Sequence, residues 1–146
     1  MDISLTLLLV QIIATILYII LIYITIKSNQ RLNKQNIFTE IVKQERQLKI
    51  KLLEYRDIIN NKKLNVVKRE GTKLDYDTLL FNYYEFLAIC LYNKFINERE
   101  AKLFFKSPLI SVKEMFDNSL LFTADYADES QYPFIRWLFK KWDIDF

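Results

Sequence analysis

Histidine is missing from the 146-residue chain altogether, and that absence excludes more chemistry than any residue present suggests. Without an imidazole there is no Ser/His/Asp triad, no Cys/His dyad and no histidine zinc site. Glycine occurs once, at Gly71, which rules out a Walker loop and a dinucleotide fingerprint. Paired-carboxylate chemistry survives this elimination, since Asp and Glu number 18, yet no spacing singles out a pair. The expectation is a protein that is not an enzyme, with no cofactor, no metal and no small-molecule substrate.

The same scarcities bear on the fold. One Gly and two Pro are too few for the many turns of an all-β domain and favour long, rarely broken helices, so the predicted class is all-α. Cys90 is the single cysteine; it forms no internal disulfide and fits a reducing compartment. A net charge of +3 implies no long-range attraction to nucleic acid, so any basic patch must be local. With 51% hydrophobic and 15% aromatic residues, the chain can bury a core.

What is abundant is apolar length. From Ile3 to Ile26, about 24 residues pass without a charge, Gly or Pro, enough to cross the hydrocarbon of a bilayer with some tilt. Residues 1–26 therefore read as a transmembrane helix. The run is too long for a signal peptide and lacks its basic n-region and small-residue cleavage site. Lys27, Arg31 and Lys34 follow it with no acid before Glu40. That asymmetry predicts a single pass, amino terminus outside and the remainder cytoplasmic; the bacterial inner membrane is what the resemblance given below implies.

Within this run, Ser4, Gln11, Tyr18 and Thr25 recur every seven residues, and Thr15 lies one turn from Gln11. Such spacing gathers polar groups toward one face of a helix. Polar side chains in hydrocarbon seek partners on another helix or water in a cavity, so the face fits oligomerisation or a water-filled pore. A plainer reading leaves Ser4 and Thr25 at the interfaces, and only Gln11 and Thr15 in need of partners.

Residues 27–60 continue as a predicted amphipathic stalk helix, with Phe38, Ile41, Leu48, Leu52, Tyr55 and Ile59 on a 3,4 spacing. The apolar side is wide enough for one helix of an intramolecular bundle, and self-association along it is the alternative. Residues 61–74 read as a basic loop carrying Lys62, Lys63, Lys68, Arg69 and Lys73. A solvated loop explains them; contact with an anion, a nucleotide or RNA is the sharper reading, without an aromatic stacking partner to strengthen it.

Residues 75–146 then form the predicted helical domain. Asp75 or Asp77 is expected to cap a central core helix whose body contains Glu85, a residue costly in lipid and an argument against a second span. Cys90 reads as an inert core thiol. Asn97 with Glu100 suggests the opening of the next helix, and Ser107–Pro108 a restart. Asp125, Asp128 and Glu129 make an acidic stretch between Ser119 and Gln131. Pro133 is expected to open a last helix that buries Phe134, Trp137, Leu138 and Trp142 and leaves Arg136, Lys140 and Lys141 polar.

The segments NYYEFLAICLYNKFINEREAKLFF, residues 82–105, and YPFIRWLFKKW, residues 132–142, resemble two signature blocks of a bacterial family of single-pass membrane proteins of unknown function. That family pairs an amino-terminal span with an aromatic-rich helical domain. The layout is also similar to the small membrane accessory protein of type VI-B CRISPR systems. The resemblance implies a homo-oligomeric pore in antiphage defence and a degenerate HEPN-like motif of Arg followed by His. Arg136 would take the Arg place, but no His exists, so ribonuclease activity is not expected.

The leading expectation is a membrane-anchored, homo-oligomeric defence effector that forms a pore or perturbs the inner membrane. Its partners would be the lipid bilayer and itself. The alternative is a membrane-tethered scaffold that senses a cyclic oligonucleotide, RNA or a cytoplasmic defence protein through its helical domain.

Overall fold

The computed structural model describes residues 3–122 and 131–144, with side chains from Gln11 onward. The described chain is helical throughout: α1 (Ile3–Asn60), α2 (Val66–Tyr92), α3 (Glu98–Asp117), a 3-10 turn (Leu120–Phe122) and α4 (Pro133–Lys141). The all-α class is as expected. The chain divides into two units, residues 1–36 and residues 37–146.

The first unit is a single helix. Its side chains from Gln11 to Asn36 are all exposed. The helix holds a window of mean hydropathy 1.8, none of which is buried, which sets it apart from the core helix of a soluble protein. One long apolar helix near the amino terminus is thus of a length and composition to cross a membrane. At its polar end, the Lys27 ammonium lies 5.8 Å from the centre of the Tyr23 ring, the pairing of aromatic and cation that suits a water–lipid boundary.

The second unit is a helical bundle. Ile41, Leu48 and Leu52 of α1 are buried in it, and Phe38, Tyr55 and Ile59 are half-buried. The predicted stalk is therefore divided. From Ile37 onward it belongs to the bundle and does not stand apart as a 27–60 unit. The Tyr83 hydroxyl donates to the Ile41 carbonyl at 3.0 Å, and the Phe38 ring packs edge-on against Phe104 and Phe105 at 5.4 and 6.2 Å. Phe81, Leu87, Phe105, Leu109, Leu138 and Trp142 are fully buried, each stabilising the fold by about 1.5–3 kcal/mol through its apolar surface.

Two expected boundaries are corrected. The basic loop 61–74 shrinks to residues 61–65, because α2 begins at Val66. Asparagines make this possible: the Asn61 carboxamide accepts from the Lys63 amide at 3.0 Å, and that of Asn65 from the Val67 amide at 2.7 Å. Asn65 is thus the cap expected of Asp75 or Asp77, and the Lys and Arg that follow are good helix formers. The restart at Ser107–Pro108 is also absent, since α3 runs through Pro108. Proline removes a donor and crowds the preceding turn. Ala101, Phe105, Leu109, Val112 and Phe116, buried at helical spacing on both sides of it, hold the helix together.

Asn97 opens α3 as expected, accepting from the amides of Arg99 and Glu100. Pro133 opens α4, whose core side is Ile135, Leu138 and Phe139, with Trp142 just beyond. Phe134 and Trp137 are only half-buried against it. The acidic residues Asp125, Asp128 and Glu129 lie outside the described residues.

Candidate functional site

On α1, Gln11, Thr15, Tyr18 and Thr25 share a face by their spacing on one unbroken helix. The Ser4 backbone continues that helix, and its side chain lies outside the described residues. The two threonines are satisfied locally. Thr15 Oγ1 donates to the Gln11 carbonyl at 2.8 Å and Thr25 Oγ1 to the Leu21 carbonyl at 2.9 Å. Such back-bonding satisfies the hydroxyl on its own helix without a second one. On the described part of that face this leaves the Gln11 carboxamide and the Tyr18 hydroxyl, with Tyr18 66% exposed.

The five cations of the predicted basic loop do not converge. Lys62 and Lys63 are exposed on the turn, whereas Lys68, Arg69 and Lys73 ride on α2. Lys68 and Lys73 are five residues apart, roughly 140° around a helix of 3.6 residues per turn. Lys73 faces the side that carries Asp77. Arg69 is half-buried, and its Nε is enclosed without a hydrogen-bond partner among the described residues. This geometry makes no single anion cradle.

Sequence reasoning named two carboxylates, Asp77 and Glu85, but missed the parts they play in the bundle. Asp77 is 2% exposed and its carboxylate accepts the Ser119 hydroxyl at 2.5 Å. Ser119 Oγ in turn accepts from the Leu121 amide at 3.3 Å. Burial pushes the Asp77 carboxyl above its ordinary range, against the opposing pull of Ser119 and Lys73. A cleft of about 370 Å³ opens beside it, lined by Lys73, Asp77, Glu114, Met115 and Asn118. The serine hydroxyl donates to Asp77 and accepts from the backbone, and at 4% exposed it is closed inside the bundle, where the pair holds the start of the 3-10 turn.

Glu85 is the second. Its two carboxylate oxygens accept from the backbone amides of Phe134 at 3.1 Å and Ile135 at 2.7 Å. The residue before α4, Tyr132, is left-handed at φ 57° and supplies no side-chain cap. A carboxylate of α2 does that work from across the bundle and meets the positive end of α4. The only sequence signal for it is the charge itself, standing in an otherwise apolar helix.

Arg136, the residue placed at the HEPN-like arginine by resemblance, sits in a ring cluster. Its guanidinium lies 4.8 Å from the Phe116 ring centre and 5.6 Å from that of Phe122, and its Nε donates to the Gln131 carbonyl at 3.2 Å. These contacts give it a packing role. Burial pushes the Cys90 thiol up, consistent with an inert core residue. No group of three metal-ligating side chains exists among the described residues.

An apolar groove of about 390 Å³ runs between α1, α2 and α3 past Leu52, Tyr76, Tyr84, Pro108 and Val112. Glu45 and Lys49, ion-paired at 2.9 Å, stand on its rim. Comparison of the chain with protein-family models, with curated proteins and with solved structures finds no match.

Proposed function

We propose that the protein is a membrane-anchored effector that self-associates through the Gln11 face of its apolar helix and perturbs the membrane it occupies. The observation that supports this is the exposed apolar stretch of α1 with Gln11 and Tyr18 on one side. An amide in hydrocarbon costs free energy that a second copy of the same amide offsets, by about 1 kcal/mol per interhelical hydrogen bond. The helix enters with its amino terminus outside, because Lys27, Arg31 and Lys34 hold the following residues on the cytoplasmic side. A pore in antiphage defence is what the CRISPR accessory resemblance adds to this reading.

Purified full-length chain in dye-loaded vesicles tests both steps. The expected result is an oligomer in detergent whose mass falls on Gln11→Leu, and dye release that falls with it. An unchanged mass for Gln11→Leu removes the role of the amide. Retention of dye equal to that of protein-free vesicles removes the membrane-perturbing activity.

A further inference from the structure

Leu103 is 80% exposed, more than any other large hydrophobic side chain described, Tyr18 and Tyr23 of the apolar helix included. A soluble surface tolerates single exposed leucines, so its surroundings decide what it means. On α3 it lies opposite the buried Phe105, Leu109 and Phe116, in a stripe with Arg99, Lys106 and Ile110 at spacings of four, three and four. All four of these side chains are exposed or half-buried. The loop that leads into α3 adds Phe95, 50% exposed, beside Lys94.

Exposed Lys102, next to Leu103, adds a further cation, and two acids, Glu98 and Glu100, stand near it. Glu98 is engaged by the Lys141 ammonium at 2.8 Å and the Trp142 indole at 3.1 Å, and the Lys141 contact holds its carboxyl below the usual range. Glu100 is exposed on the adjoining side of the helix.

The patch is also fixed in place relative to the entry of the chain into the bundle. Phe104, the residue after Leu103, packs its ring on Phe38. Phe38 follows Ile26 by twelve residues.

We propose that this corner of the bundle docks on the anionic phospholipid headgroups of the bilayer that holds α1, with Leu103 and Phe95 entering the interface and Arg99, Lys102 and Lys106 facing phosphate. The proposal rests on the membrane reading above. Apolar anchors flanked by cations are the composition that binds an anionic surface. The tether supplies the effective concentration that turns weak affinity into high occupancy.

The test uses the full chain with Leu103→Cys, labelled with an environment-sensitive fluorophore and reconstituted into vesicles of phosphatidylcholine alone or of phosphatidylcholine with phosphatidylglycerol. Cys90 is buried, and the unmutated chain reports any label it takes up. Docking predicts a blue-shifted emission in the anionic vesicles alone, quenched by brominated lipid and lost at high salt. Arg99→Gln with Lys106→Gln is expected to abolish that shift, and Arg99→Lys to keep it. Flotation of the same vesicles reads anchoring separately. A chain that fails to float overturns the membrane reading and this proposal with it. A chain that floats while the label stays aqueous in both vesicles overturns docking alone. A shift that is the same in both lipids and grows with protein density assigns the patch to a second copy and also overturns docking.

Discussion

Residues 11–26 of α1 and residues 79–92 of α2 are both dominated by Leu, Ile and aromatic side chains, and both are helical, yet one is bare and the other is buried along most of its surface, Phe86 and Tyr92 excepted. In α1 every such side chain is exposed, from Ile22 at 42% to Tyr18 at 66%. In α2, Leu80, Phe81, Tyr84, Leu87, Ala88 and Leu91 are each 6% exposed or less. Hydropathy separates them only in degree, α1 alone among the described helices holding a window apolar enough to cross a membrane; the carboxylate in the middle of α2 marks a difference in kind. Glu85 has a defined occupation in protein, two amides of α4, and would have none in lipid. A charge inside an apolar helix marks the place where another element must arrive.

The comparison can be broken most forcefully at Phe81. Its ring meets Phe116 at 5.0 Å, Tyr132 at 5.8 Å and Phe122 at 5.9 Å. Phe81→Ala is expected to cost about 3–5 kcal/mol. Denaturant unfolding of the detergent-solubilised chain, followed by tryptophan emission, reports only the bundle, because both tryptophans lie in it. Helicity of the apolar segment should persist in the same samples.

Glu85→Leu makes α2 more like the α1 span while leaving two amides of α4 without an acceptor. The expected loss is about 1–3 kcal/mol by the same measurement. A stability equal to that of the unmutated chain would show that water caps α4 as well as the carboxylate does.

The smallest effect belongs to Asp77. Its folded pKa is raised above 3.8, so the folded bundle binds a proton that the unfolded chain still releases. The cost of holding the charge is fully present above the folded pKa and disappears as pH falls through it toward the unfolded value. Relative to Asp77→Asn, the unmutated chain should therefore gain stability on acidification. Glu98, with its lowered pKa, contributes in the opposite sense in both proteins and cancels in the difference. A difference independent of pH would contradict the assignment.

The helices were legible where period and punctuation agreed. The Ile41, Leu48 and Leu52 series in α1 and the Asn97 cap of α3 were readable from local spacing. The start of α2 was not, because Gly71 and a run of Lys and Arg resemble a loop while also being compatible with helix. Gly71 has open space around it and no left-handed backbone. Pro108 misled for the complementary reason, its local cost being outweighed by core contacts on both sides. Asp77–Ser119 and Glu85–α4 join residues more than forty positions apart, and no local pattern encodes such pairs. On the apolar helix, the seven-residue spacing gave the face but not its chemistry. The hydroxyls of Thr15 and Thr25 turn back onto their own helix, which leaves Gln11 and Tyr18 among the candidates whose side chains are described.

The ring cluster around Phe81 also determines where the protein can be engineered. Phe122 and Tyr132 pack on one another at 6.0 Å as well as on Phe81, so two points well separated in sequence meet at a single ring. Extra residues spliced between them lengthen a segment whose two ends are already held together, and each doubling of such a segment costs only about 0.6 kcal/mol. The contact between those two rings, more than the length of chain that joins them, is what an insertion there would have to overcome.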